Sequence, residues 1–147
     1  AHANWDDLLW AYINLSLVFG FRDSEDVGYR ADLIGDHLPI YPPLILNFGL
    51  AHKTTFMPVK LGIEGRFISA RRASDDNIFA AGQVYTLPSA FYLDAHLELV
   101  DLFENNSTHL MFLIRNLLDT DQAHPGFTGI DYPSAPRTFM LQWRQQL

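Results

Sequence analysis

The chain has 147 residues, 48% of them apolar, a net charge of −7 and no cysteine. That length suits one domain; the acidic balance argues against a nucleic-acid partner, which would require a basic face, and the lack of thiols excludes disulfide frameworks and thiolate metal sites. No run approaches the ~18 uninterrupted apolar residues of a membrane-spanning helix, a test that β-barrels escape because only alternate residues of their strands face lipid.

The chain opens Ala1-His-Ala-Asn-Trp5, with neither an initiator Met nor a signal peptide, so it reads as processed or as the tail of something longer. The first alternating run covers 8–21, where Leu9, Ala11, Ile13, Leu15, Leu17 and Phe19 share one parity and Trp10, Tyr12, Asn14 and Ser16 the other. A period of two is a strand. Residues 22–43 form a polar connection closing on Leu38-Pro-Ile-Tyr-Pro-Pro43, whose prolines forbid helix and favour extended backbone. A second strand spans 44–52, with Leu44, Leu46, Phe48 and Leu50 on one side, and Lys53-Thr-Thr55 is a short turn.

The third strand, 56–70, sets Val59, Leu61, Ile63, Gly65 and Phe67 against Lys60, Gly62, Glu64 and Arg66. Were the oily side to meet lipid, a one-residue slip would put Lys60 and Arg66 into hydrocarbon at roughly 2–4 kcal/mol each near the midplane, which fixes the register. A long polar connection over 71–88 leads to the fourth strand, 89–102, where Phe91, Leu93, Ala95, Leu97 and Leu99 oppose Tyr92, Asp94, His96 and Glu98. Phe103-Glu-Asn-Asn-Ser107 is a turn, 108–118 a fifth strand of weaker alternation, 120–136 a long connection, and 137–147 a sixth strand with Phe139, Leu141, Trp143 and Leu147 on one parity. Such a final strand needs a neighbour, because an exposed apolar edge templates aggregation.

Long and short connections therefore alternate, the asymmetry of outer-membrane β-barrels, which have short periplasmic turns and longer extracellular loops. On that reading 22–43, 71–88 and 120–136 lie outside the cell, and aromatic residues near strand ends, such as Trp10, Tyr41, Phe56 and Trp143, fit interfacial girdles. Alternation alone does not separate lipid-facing from core-facing side chains, so a soluble β-sandwich or lipocalin-like module is the competing architecture.

Several segments carry a resemblance to a family. Arg115-Asn-Leu-Leu-Asp119, Gly126-Phe127, Asp131-Tyr-Pro133 and Pro136-Arg-Thr-Phe-Met-Leu-Gln-Trp-Arg144 closely resemble the last hairpin of TonB-dependent outer-membrane receptors. Leu38-Pro-Ile-Tyr-Pro-Pro43 with Asn47-Phe-Gly-Leu50, then Gly62-Ile-Glu-Gly-Arg-Phe67 and Tyr92-Leu-Asp-Ala95, extend it over nearly the whole chain. It implies an all-β antiparallel transmembrane barrel segment of about six C-terminal strands, with the plug and the TonB box outside this sequence. The implied function is energised uptake of a scarce ligand of the siderophore, cobalamin or glycan class at the bacterial outer membrane. Its partners would be outer-membrane lipid, the remaining barrel strands and plug on the same or another chain, a TonB-type energiser acting through the plug, and an unidentified small-molecule ligand. Two features depart from the family: the last residue is Leu147 rather than an aromatic, and Gln145 falls on the lipid-facing parity. The alternative function is a porin-like or split-barrel structural subunit of a multi-chain assembly without TonB coupling, since six strands are too few to close a barrel.

The charged side supplies lumen-facing candidates, namely Lys60, Glu64, Arg66, Asp94, His96, Glu98 and Arg115. The simplest expectation is that they satisfy one another across neighbouring strands or contact a plug, with direct ligand contact as the second. No catalytic, cofactor or metal site is expected. Asp119-Thr-Asp-Gln-Ala-His-Pro-Gly126 starts like a calcium loop but has Ala at the fifth position and its glycine too late. The six histidines show neither HxH nor HExxH spacing, and no nucleophile elbow or Ser-His-Asp arrangement points to an enzyme.

Overall fold

The computed structural model describes residues 2–5, 8–18, 40–73, 85–102, 108–126 and 130–145. Among these the structure is all β: β1 (His2–Trp5), β2 (Leu9–Leu17), β3 (Leu44–Lys53), β4 (Val59–Ile68), β5 (Arg71–Arg72), β6 (Thr86–Leu87), β7 (Ala90–Leu102), β8 (Thr108–Arg115), β9 (Ala123–His124), β10 (Tyr132–Pro133) and β11 (Thr138–Gln145). Seven strands build one antiparallel sheet in the order β1-β2-β3-β4-β7-β8-β11, and β5 with β6 and β9 with β10 form two-residue ladders of their own. No helix among the described residues is long and apolar enough to cross a membrane.

Sequential neighbours along the sheet bring the strand ends Trp5 and Leu9, Lys53 and Val59, and Leu102 and Thr108 to one side, the short-connection end, and Leu17 and Leu44, Ile68 and Ala90, and Arg115 and Thr138 to the other, the long-connection end. Most of 22–43 and the whole of 103–107 lie outside the described residues, as do Phe19 and Leu147.

Four local results differ from the alternation pattern. The segment before the first expected strand is itself β1, paired with β2 from His2 opposite Tyr12 to Trp5 opposite Leu9. Phe56 is not in a strand but in the turn before Val59, 79% exposed. That turn is closed by the Thr54 hydroxyl donating to the Met57 carbonyl at 2.6 Å and the Thr54 N–H donating to the Val59 carbonyl at 2.9 Å. β8 stops at Arg115 rather than running to 118, because Asn116 and Asp119 take positive φ of 52° and 55°, a left-handed conformation that Asn and Asp tolerate better than other side chains. The long connections also hold the β5–β6 and β9–β10 ladders, which are too short for any periodicity to mark.

Register makes each side of the sheet continuous. On the apolar side Leu50 faces Ile63, Ile63 faces Ala95, Ala95 faces Ile114 and Ile114 faces Phe139; a second row runs Leu61, Leu97, Phe112 and Leu141. On the ionic side Tyr12, Gly49, Glu64 and Asp94 form one row and Trp10, Ala51, Gly62, His96, Leu113 and Met140 another. Two glycines of the ionic side are packing devices: the Tyr12 ring lies over Gly49 and the His96 ring over Gly62, where a Cβ would collide with either ring. Aromatic cover of a strand glycine replaces the side-chain contact that the glycine cannot make.

Among the described residues nothing packs on the apolar side. Leu15 is 62% exposed and Leu141 70%, and Leu50, Ile63, Leu97 and Phe112 are exposed as well. The buried apolar residues among those described, Ile68, Ala73, Leu87, Ala90 and Val100, are few, and the first four gather at the long-connection end around β5 and β6. A soluble sandwich would bury the rows that lie bare here.

Candidate functional site

The seven charged candidates all fall on the ionic side but do not form one lattice. Two clusters take six of them, and His96 lies between.

The first cluster sits near the short-turn end and centres on Glu98, whose side chain is 10% exposed. Its Oε2 lies 3.5 Å from Lys60 Nζ, and its Oε1 lies 3.2 Å from both His109 Nδ1 and Arg144 Nη2. Lys60 stands directly opposite Glu98 across β4 and β7, and Arg144 stands opposite His109 across β11 and β8. One carboxylate thus ties four strands, and its oxygens have enough lone pairs for all three donors.

The second cluster lines a cavity of about 860 Å³ at the long-connection end, with Glu64, Arg66, Arg71, Tyr92, Asp94 and Arg115 on its wall. Glu64 and Asp94 stand directly opposite each other, a like-charge pairing that costs stability unless each finds other donors. Both do. Glu64 is hydrogen-bonded with Tyr12, and Asp94 Oδ1 accepts from the Asn116 N–H at 2.8 Å. The three guanidinium groups of Arg66, Arg71 and Arg115 therefore face the cavity while its two wall carboxylates are held by uncharged donors.

Arg71 is the innermost of these, 5% exposed, and its Nη1 has no hydrogen-bond partner among the described residues. Its Nη2 lies 3.4 Å from His124 Nδ1, and His124 Nε2 lies 3.5 Å from the Tyr92 hydroxyl. Burial pulls the Arg71 guanidinium below its ordinary pKa, as does Arg66, while Tyr92 and Asp131 act the other way. Burial also pulls His124 down, reinforced by Arg71 and then Arg66.

Asn116 holds the base of the 116–137 connection. Buried and left-handed, it donates from Nδ2 to the carbonyls of Thr120 and Ala135, each at 3.0 Å, and accepts the Thr120 N–H on Oδ1 at 2.8 Å. The Thr120 hydroxyl donates to the Phe91 carbonyl at 2.6 Å, and Asp119 accepts the Arg137 N–H and lies 3.5 Å from Arg137 Nη2. This is the physical content of Arg115-Asn-Leu-Leu-Asp119: it ends β8 and staples the connection to the sheet.

Of the sequence candidates, Lys60 and Glu98 belong to the first cluster; Glu64, Arg66, Asp94 and Arg115 line the cavity; His96 covers Gly62 between them. Arg71, His109, His124 and Arg144 were not singled out from the sequence. His109 and Arg144 carry a signal, since both share the parity of the ionic side in their strands; Arg71 and His124 carry none, because each sits in a two-residue strand of a long connection. Among the described residues no three His, Asp or Glu side chains cluster as a metal site.

No protein-family model and no curated protein matches the chain. Solved structures do. The ferric-catecholate import receptor Fiu of Escherichia coli K12 in its closed form superposes with a TM-score of 0.77 at 19% identity, over 98% of this chain and 19% of the receptor. Its open form gives 0.60 at 22% identity over 71% of this chain and 15% of the receptor. The ferripyoverdine receptor of the Pseudomonas aeruginosa outer membrane gives 0.74 at 12% identity, over 98% of this chain and 18% of that one. The chain thus spans about a fifth of the length of the structures it matches, and its fold is that of the barrel of TonB-dependent receptors.

Proposed function

We propose that this chain, sharing the barrel fold of those receptors, is the C-terminal wall of an outer-membrane receptor that takes up a scarce ligand of the siderophore, cobalamin or glycan class with TonB-derived energy. The observation that carries the reading is the two-sidedness of the sheet. One side is a bare apolar surface across six strands, and the other holds a carboxylate hub and a cavity rich in arginine. Acyl chains are the solvent in which the first side is stable, because burying it removes apolar area from water at roughly 25 cal/mol per Å². The second side then faces the lumen, and Lys60, Glu64, Arg66, Asp94, His96, Glu98 and Arg115 are its lining. The long connections become the extracellular rim and the short turns the periplasmic end. The edge strands β1 and β11, each with one neighbour here, pair with the remaining strands, and a plug fills the lumen.

Of these classes the siderophore draws support from the likeness to a ferric-catecholate import receptor and a ferripyoverdine receptor; cobalamin and glycan rest on the sequence resemblance to the family. Spin labels at Leu61, Leu97 and Leu141 in the full chain in liposomes test the wall: lipid-dissolved oxygen should relax all three and a water-soluble nickel chelate none. Labels reached only by the aqueous quencher would refute the membrane placement. Growth on iron chelates, cobalamin and glycans as sole sources, in cells with and without the full chain, tests uptake; loss of growth on none of them would leave the porin-like or split-barrel subunit as the better reading.

A further inference from the structure

Three contacts join the 116–137 connection to the 69–89 connection above the cavity. The Tyr85 hydroxyl donates to Asp131, Gln122 Nε2 donates to the Pro88 carbonyl, and Arg71 meets His124. The third is also a ring contact with the wall. His124 stacks on Tyr92 with ring centroids 6.2 Å apart and planes 18° apart.

A neutral imidazole fits this seat. Its Nδ1 accepts from Arg71 Nη2, and its Nε2–H points to the Tyr92 oxygen. A second proton would land on Nδ1, 3.4 Å from a guanidinium nitrogen, turning an acceptor into a donor and setting two cations face to face. The surrounding charge does not offset this. β5 brings Arg71, β4 brings Arg66 and β7 brings Tyr92 to the ring; Arg115 lines the same cavity, and the carboxylates Glu64 and Asp94 are committed to Tyr12 and Asn116. Asp131, on the same connection as His124, accepts from Tyr85.

We infer that His124 is an acid-released latch: neutral, it holds the β9–β10 ladder against β5 and the β7 wall over the cavity, and protonated it lets that ladder go. The inference rests on the proposed function only in taking the cavity as the mouth of the passage, and it assigns that mouth a regulator. The direction of pH dependence is set by a docked histidine less basic than a free one. Docking is at full strength above the free-histidine value of about 6.5 and weakens as pH falls below it.

The test uses the full chain in liposomes. These residues contain no cysteine, so cysteines placed at Thr86 in β6 and Pro133 in β10, both exposed, take spin labels whose separation is read by pulsed resonance at about pH 8 and about pH 5. The otherwise native chain should give one short distance at the higher pH and lose it at the lower. His124→Gln, which keeps an acceptor but takes no proton, should hold the short distance at both. His124→Lys should lack it at both. An unchanged distance in the native chain, or acid loss persisting in His124→Gln, overturns the inference, and those two comparisons suffice if His124→Lys does not assemble. The readout is a distance and not transport, so failure here leaves the uptake reading intact, and failure of the wall-label experiment leaves this one interpretable.

Discussion

Replacing Glu98 by glutamine removes one charge and almost no volume from the point where four strands meet. Breaking a fully buried ion pair costs about 3–5 kcal/mol, but that figure does not apply here. The side chains of Lys60 and Arg144 are 41% and 63% exposed and regain water once the carboxylate is gone, so each contributes about 0.2–1 kcal/mol. The bond to His109, whose side chain is 20% exposed, contributes about 1–1.5 kcal/mol more. The expected loss for Glu98→Gln is therefore about 1.4–3.5 kcal/mol. Urea unfolding of the full chain in liposomes, followed by tryptophan fluorescence, measures it. A double-mutant cycle with Arg144→Gln should return a coupling of about 0.2–1 kcal/mol that shrinks as salt is raised. A Glu98→Gln protein as stable as its parent, or an Arg144→Gln cost unchanged in the Glu98→Gln background, would refute the assignment of Glu98 as the hub.

Ile63→Arg, in the middle of β4 on the apolar side, should cost about 2–4 kcal/mol in a lipid-spanning wall and lower the assembled fraction on a heat-modifiability gel; a soluble sheet face would absorb an arginine with far less loss. Asn116→Ala should expose the 116–137 connection to protease, with a stability loss of about 1–3 kcal/mol from unsatisfied carbonyls, and Asn116→Gly should do the same although it accepts the left-handed backbone, because the lost hydrogen bonds and not the φ angle dominate. Tyr85 is pushed up to about 12 by burial, then by its hydrogen bond to Asp131 and the charge of that carboxylate. A raised phenol pKa means that the loop contact is fully present below the free-tyrosine value of about 10 and is lost as pH rises through the folded one; difference absorbance against Tyr85→Phe should show the late step, and Asp131→Asn should bring it earlier.

The strand periodicity was legible because it depends on nothing beyond neighbouring residues. Val59, Leu61 and Ile63 against Lys60, Gly62 and Glu64 read as two faces wherever the strand lies, and the alternation of short and long connections orders the ends of the sheet. The same rule could not place Phe56, which a two-residue period extends into β4 but the Thr54 bonds keep in a turn, nor stop β8 at Arg115, where Asn116 turns left-handed.

What the sequence by itself determined is thus parity: which side chains share a face, and hence the all-β antiparallel plan with one oily and one ionic side. Only the tertiary structure decided who meets whom. It put Glu98 against Lys60, His109 and Arg144, set Glu64 opposite Asp94 so that each needed another donor, and carried His124 over 53 positions to Arg71. The reason is that parity is local to a strand of period two, whereas inter-strand register and loop docking are set by turns, caps and packing between residues distant in the chain.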